Sequence, residues 1–261
     1  MKNDQNQTRR RTLKMAGSCL ATVGIIGTTS AKKASSDPLD NIDSKVLEAY
    51  NDHGEDGLHE VMEDSGYNYV VSTTTETLES ENDSEFSPQA HYKKPTANFL
   101  INAFNDPKGE ERIRVQVITT LDVAVISPGF GTWADDVITI TYDGNEWTNV
   151  GESSLRTSPS EDSSIELYPD SISNGGVGAL VDLEKIYPDA SQSVLLAQSL
   201  NNLNGNPGTI YGSYVHAWSA NPTSVTVDSI EGGAGPASVS FGGILEGDWQ
   251  ITDDESTDDL I

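Results

Sequence analysis

The chain has 261 residues, of which 41 are Asp or Glu and only 15 are Lys or Arg, so its formal net charge is −26. A chain this acidic offers no basic patch to phosphates or to anionic headgroups, so we expect neither nucleic-acid binding nor docking on anionic lipid. Leu, Ile, Val and Phe supply 58 residues, enough for a packed core where they follow a strand pattern.

The first 31 residues have the three parts of an export signal. The basic part contains Arg9, Arg10, Arg11 and Lys14. A weakly apolar segment over 16–26 follows, and small residues up to Ala31 offer a cleavage site. This segment is much shorter than the roughly 20 apolar residues that span a bilayer. We expect a removed signal over 1–31 and no membrane span in the mature chain.

The order of the residues in the basic part carries a family resemblance. The pattern S/T-R-R-x-F-L-K is matched by Thr8, Arg9, Arg10, Leu13 and Lys14. Thr12 stands where Phe is usual, and a second register uses Arg10 and Arg11. The segment resembles a twin-arginine (Tat) signal, which implies recognition by the Tat export machinery and passage of folded cargo to the outside. An ordinary Sec signal and a disordered basic tail are the alternatives.

The mature chain is more acidic than the whole. Removal of residues 1–31 takes away five bases and one acid, which leaves 10 Lys or Arg against 40 Asp or Glu and a net charge of −30. Such self-repulsion opposes compaction, but molar salt shortens the Debye length to about 3 Å and screens it. Together with the Tat pattern, this composition resembles haloarchaeal secreted proteins.

The single cysteine, Cys19, lies near the start of the apolar segment. A lipoprotein cysteine would follow that segment, so we favour a released protein over a lipid-anchored one. The mature chain then contains no cysteine, which excludes a disulfide, a thiolate metal site and a cysteine nucleophile.

A short helical element is predicted over 32–66. Residues 32–43 read as a flexible lead-in, Ser44 can cap a helix over 45–50, and Asp56 can cap a second helix over 57–64. Neither is long enough to be stable alone, so we expect a helical hairpin that packs on the rest of the chain.

Residues 67–261 read as a β domain, because short alternating runs are separated by Gly, Pro and Asn. We expect a mainly β fold, an antiparallel sandwich or barrel-like sheet. A mobile polar loop is predicted over 76–96 and carries the one sequon of the mature chain, at Asn82. The acidic tail 252–261 is predicted to be disordered. Residues 193–203 fit either a helix or a strand, and the flanking strand signals favour a strand.

The segment 209–219 is the most patterned part of the mature chain. One face carries Tyr214, His216 and Trp218, and Tyr211 lies on the other. Aromatic rows of this kind can bind a partner or a glycan, but more often they fill the core of a sandwich, where a histidine is a satisfied core residue.

Calcium is the one cofactor that the spacing suggests. Asp52, Asp56 and Glu63 fall near ligand positions of a 12-residue calcium loop, although Gly54 fails at the third position. A turn between two helices is the simpler interpretation. His59 and Glu60 begin like a zinc-protease motif, but Glu63 occupies the place of the second histidine, so zinc is not expected.

No catalytic motif is present, and three functions follow as hypotheses. The first is a secreted, salt-adapted β-sandwich with a binding or structural role, whose partner or glycan the sequence does not identify. The second is a secreted hydrolase, which requires His216 or His91 to contact a carboxylate and a hydroxyl in a pocket. The third is a secreted antagonist of competing cells, similar in export route to the halocins.

The export signal makes a direct prediction. Replacing Arg9, Arg10 and Arg11 with Lys keeps the charge but removes the guanidinium pair, so the mature protein should disappear from the medium and accumulate inside the cell. Immunoblotting of both fractions measures this, with Lys2→Arg as the control. Undiminished secretion of the triple variant would contradict the Tat interpretation.

Overall fold

The computed structural model of the chain describes ten segments. They are residues 37–77, 96–109, 111–123, 135–158, 164–168, 172, 175–182, 190–218, 225–243 and 247–261. The signal residues, Asn82 and nearly all of the predicted loop 76–96 lie outside this part of the chain. Residues 35–261 belong to a single compact unit.

Two helices open the described chain. Helix α1 spans Pro38–His53 and α2 spans Glu55–Ser65. The side chain of Asp37 caps α1 by accepting a hydrogen bond from the backbone N–H of Leu39 at 3.0 Å, and proline occupies the first helical position. The predicted start near residue 45 is therefore late by two turns, because residues 38–43 belong to the helix and not to a flexible lead-in.

Twelve strands follow in the described chain, and all their pairings are antiparallel. They are β1 (Tyr69–Thr77), β2 (Thr96–Asn105), β3 (Arg112–Val123), β4 (Asp136–Tyr142), β5 (Trp147–Ser158), β6 (Ser164–Leu167), β7 (Gly176–Asp182), β8 (Ala190–Asn202), β9 (Thr209–Trp218), β10 (Thr226–Gly233), β11 (Gly235–Gly242) and β12 (Gly247–Ser256). The first sheet has the order β1-β2-β3-β8-β5, the second has β12-β9-β4-β7-β6, and β10 and β11 form a separate ribbon.

The elements stack in four layers. The main core lies between the two sheets. The helices cover the outer face of the first sheet, and the ribbon covers the outer face of the second. The sheets approach closely at Gly212, where a β-carbon would come within 2.9 Å of Phe99 and Val117. Any larger residue at 212 would push the sheets apart.

This architecture confirms the predicted mainly β, antiparallel sandwich with a helical hairpin at its N-terminal end. The preferred strand over 193–203 is also confirmed, since these residues lie largely within β8. The prediction of a disordered tail over 252–261 is wrong. Residues up to Ser256 belong to β12, and Leu260 packs into the main core. The turn that follows Tyr142 joins the two sheets, because β4 and β5 lie in different sheets.

A buried ion pair fixes α1 to the first sheet. Arg114 on β3 donates from Nη2 to Asp43 of α1, and the two residues are 2% and 0% exposed. Gln116 Nε2 donates to the same carboxylate at 2.7 Å. The other guanidinium nitrogen, Nη1, donates to the carbonyl oxygen of Glu152 at 2.7 Å and to the hydroxyl of Ser199 at 3.3 Å. The desolvated charges are thus met by opposite charge and by hydrogen bonds.

Two outer ion pairs continue this contact along the helix. Asp37 accepts from Lys108 Nζ at 3.0 Å, and Asp40 pairs with Arg156 Nη2 at 3.2 Å. With Asp43, these acids recur every three residues and so share one side of α1. The hydrogen bond from Lys108 lowers the pKa of Asp37, and the same bond raises the pKa of Lys108. Both residues are largely solvated, so their net contribution is small.

We predict that breaking the buried pair costs far more than breaking a solvated one. Arg114→Met leaves the Asp43 carboxylate buried without its counter-charge and should lower the free energy of unfolding by about 3–5 kcal/mol. The matched change Arg156→Met breaks a partly exposed pair and should cost no more than about 1 kcal/mol. Urea denaturation at constant KCl concentration measures both. Equal losses in the two variants would show that burial of the pair is unimportant.

Candidate functional site

A cluster of three polar side chains lies inside the sandwich. Asp136 is the first residue of β4, and Tyr214 and His216 point inward from β9. His216 Nδ1 lies 2.8 Å and 3.0 Å from the two carboxylate oxygens of Asp136, and the Tyr214 hydroxyl donates to Oδ2. The backbone N–H of Ala217 also donates to Oδ1, at 3.3 Å. One carboxylate therefore ties β4 to two side chains and one backbone N–H of β9.

The protonation of this cluster follows from its partners. An ionised carboxylate can only accept hydrogen bonds, so Nδ1 of His216 carries a proton that it donates to Asp136. This is the orientation that a carboxylate gives to a general-base histidine. Here, however, Asp136 and His216 are each only 1% exposed and Tyr214 is fully buried. In this geometry the cluster joins two strands, and solvent has almost no access to the imidazole.

The predicted aromatic face of β9 is thus divided between different environments. Tyr214 and His216 are buried between the sheets, whereas Tyr211 points to the other face and is partly exposed. Trp218 ends the strand, and its side chain lies outside the described part of the molecule. The alternation predicted from the sequence is present, but a ligand could reach Tyr214 and His216 only by opening the sandwich.

The other histidines differ from His216 in their surroundings. His53 is exposed at the end of α1. His59 on α2 lies 2.7 Å from the Tyr69 hydroxyl and 3.4 Å from Glu55 Oε1, so it links α2 to β1. His91 lies outside the described residues. The histidine–carboxylate contact that the hydrolase hypothesis requires is present at His216, but it lies in a closed core and not in a pocket open to solvent.

The calcium candidates lie on the helices and not in a loop. Asp52 belongs to α1, Asp56 to the first turn of α2 and Glu63 to its last turn, with only Gly54 between the helices. All three carboxylates are exposed. Across the described segments, no group of three or more His, Cys, Asp or Glu side chains is placed to hold a metal ion. Calcium binding here stays a prediction without a coordination geometry in support.

Sequence reasoning missed Asp136 as the partner of His216 and Asp43 as the partner of Arg114. Each is one acid among the 41 of the chain, and each partner is more than 70 residues away. One signal was present: Arg112 and Arg114 alternate with apolar residues inside a strand. Since bases are scarce in this chain, a base within a core strand marks a buried acid opposite.

No protein-family model and no curated protein matches the chain. Solved structures resemble it weakly. A pore forming protein aligns over 74% of this chain and 93% of its own, with 7% identity and a TM-score of 0.34. Clostridium perfringens delta-toxin covers 74% and 90%, with 7% identity and a TM-score of 0.33. The collagen-binding domain of a Staphylococcus aureus adhesin covers 57% and 91%, with 8% identity and a TM-score of 0.27. At these scores the likenesses identify neither a family nor a function.

None of the helices in the described segments is long and apolar enough to cross a membrane.

We predict that the buried cluster contributes to stability. Tyr214→Phe removes a hydroxyl that donates to a buried carboxylate and should lower the free energy of unfolding by about 1.5–3 kcal/mol. The control is Tyr211→Phe, the same change on the opposite face of the same strand, which should stay within about 0.5 kcal/mol of the parent. Urea denaturation followed by tryptophan fluorescence measures both. A Tyr214→Phe protein as stable as the parent would contradict the structural role.

Proposed function

We propose that the protein is exported in a folded state and acts outside the cell as a salt-adapted binding or structural module, not as an enzyme. The observation that carries this proposal is the position of His216. Its contact with Asp136 is the arrangement closest to catalytic chemistry among the described residues, and it serves to join β4 to β9 in a closed core. We therefore favour a function that depends on contacts at the outer surface of the protein.

Salt adaptation is supported by how the few bases are used. Five Lys or Arg side chains fall within the described segments, and four of them pair with acids: Lys108, Arg112, Arg114 and Arg156. Few bases are therefore left to offset the remaining carboxylates of the surface. At low ionic strength these carboxylates repel each other over about 10 Å or more, and in molar salt over about 3 Å.

Export is supported by the signal pattern and by the cysteine-free mature chain. A protein that crosses the membrane folded must reach its stable state in a reducing cytoplasm. The described fold uses a buried ion pair and two apolar cores for this purpose. Such a fold needs no disulfide and can therefore become stable before export.

One observation favours the rival hydrolase, namely the Nδ1 contact between His216 and Asp136. The rival requires the cluster to open to a substrate. Hydrolysis of a polysaccharide, ester or peptide by the purified protein, abolished in a folded Asp136→Asn variant, would establish the rival and remove the proposal.

We predict that stability depends steeply on salt at low concentration. Between 0.1 and 1 M KCl the Debye length falls from about 10 Å to about 3 Å, so most of the gain in melting temperature should occur in this range. A variant with Asp254→Asn, Asp258→Asn and Asp259→Asn loses three exposed charges and should show a shallower dependence. Circular dichroism melting curves measure both. A melting temperature independent of KCl would contradict salt adaptation.

A further inference from the structure

The two five-stranded sheets have four outer strands, and three of them carry features that hinder pairing with another strand. Strand β5 has a break in register between Asn149 and Ser153. Strand β6 has only four residues. Strand β12 carries four acids, and one of them, Asp253, points inward. Bulges, short length and charges are the devices by which proteins block edge pairing.

Strand β1 is the exception among these four. Its nine residues pair with β2 in one unbroken register, from Tyr69 opposite Phe104 to Thr77 opposite Thr96. Residues 69–75 read Tyr-Val-Val-Ser-Thr-Thr-Thr, with no charge, no proline and no glycine. These are residue types that favour strands. Within the described segments no strand pairs with the outer side of β1. In so acidic a chain, a regular edge that is uncharged over its first seven residues is an open position for one more strand.

The two sides of this edge differ in chemistry. On the helix side, Glu55 accepts a hydrogen bond from Thr73 at 3.0 Å. Burial, and then the charge of Glu63, raise the pKa of the Tyr69 phenol. His59 lies in the same row and bonds to the Tyr69 hydroxyl. The exposed carboxylates of Glu55 and Glu63 thus give the helix side of β1 a negative charge.

The core side of the edge is uncharged over Val70, Ser72 and Thr74, and Glu76 follows at its end. Val70 packs against the main core. Ser72 and Thr74 both donate to Oδ2 of Asp253 on β12, at 2.8 Å and 3.0 Å, so this carboxylate is already bound. Side chains that an added strand turned to this side would meet methyl and hydroxyl groups.

We propose that the outer edge of β1 binds an extended peptide segment of a partner by strand addition, with Lys or Arg at alternate positions facing α2 and small apolar or hydroxyl residues facing the core. Main-chain hydrogen bonds to β1 would give affinity, and the alternation would give specificity. The inference deepens the proposed extracellular binding role and rests on it for the choice of an external partner.

The acidic flanks favour a cationic peptide over a second copy of this chain. A second copy paired through β1 would bring another Glu55 and Glu63 into the same row and would add a body of equal negative charge. A strand with alternating lysines has the complementary charge on the helix side and no charge on the core side.

The test uses the purified mature protein and a fluorescein-labelled peptide of nine residues, in which Lys alternates with Val and Thr. One control peptide has the same composition with its lysines contiguous. Another is methylated at alternate backbone nitrogens, which blocks one edge of the strand. Fluorescence anisotropy at 0.5 and 2 M KCl measures binding. We expect saturable binding of the alternating peptide and at least tenfold weaker binding of both controls.

Two proline variants then locate the site. Backbone N–H groups alternate between the two sides of a strand, so one of Thr73→Pro and Thr74→Pro removes a hydrogen bond to β2 and the other removes an outward N–H. The two variants are matched, because each also loses one hydrogen bond from a threonine hydroxyl to a carboxylate: Thr73 to Glu55, or Thr74 to Asp253. Urea denaturation identifies the variant that keeps its hydrogen bond to β2, because it is the more stable of the two. This variant lacks an outward N–H and should bind the peptide at least tenfold more weakly.

Each alternative outcome overturns the proposal. Equal binding of the methylated peptide, or undiminished binding by the more stable proline variant, would show that β1 is not the site. Dimerisation of the parent, seen by sedimentation and lost in that variant, would make a second copy the occupant. Failure of these tests leaves the export and salt results intact, because neither of them involves this edge.

Discussion

The Asp43–Arg114 ion pair is the contact on which the order of the layers depends. Both charges are buried, so removal of either partner would leave the other without its counter-charge in the interior, which is strongly destabilising. The apolar residues of α1 form one face that packs on the first sheet, and the ion pair adds a directional contact on that same face. The ion pairs of Asp37 with Lys108 and of Asp40 with Arg156 add two further contacts between the α1 region and the first sheet, nearer the surface.

This use of bases follows from the composition. In a chain with 41 acidic and only 15 basic residues, few basic side chains are available to pair acidic segments with each other. Four of the five bases in the described segments lie at or beside the contact of α1 with the first sheet, and the second sheet is held by apolar packing and by the hydrogen-bonded Asp136 cluster. With the helices on one outer face and the ribbon on the other, the flat faces of the sandwich are covered, and the strand edges become the open positions.

The sequence predicts the strands well where one periodicity dominates. In β4, for example, Ile138, Ile140 and Tyr142 alternate with threonines, which is the two-residue period of a strand. Residues 193–203 are ambiguous because β8 is buried on both faces, so that Leu195 and Leu196 are both core residues and the two-residue period is lost. The tail is mistaken for disorder because its five acids outnumber its two apolar residues, although one of these, Leu260, packs into the core. The contacts of Asp136 and Asp43 lie beyond prediction, since local pattern gives no means to choose among so many acids.

Native-state hydrogen exchange tests the central claim most directly. If the ion pair makes the helices and the first sheet one cooperative unit, the amides of Val46 and Leu47 in α1 should exchange with the same free energy as those of Val115 and Val117 in β3, in molar KCl. In Arg114→Met, the α1 amides should exchange at clearly lower free energy than the β3 amides. Independent exchange of α1 in the parent protein, or unchanged exchange of α1 in the variant, would contradict the account.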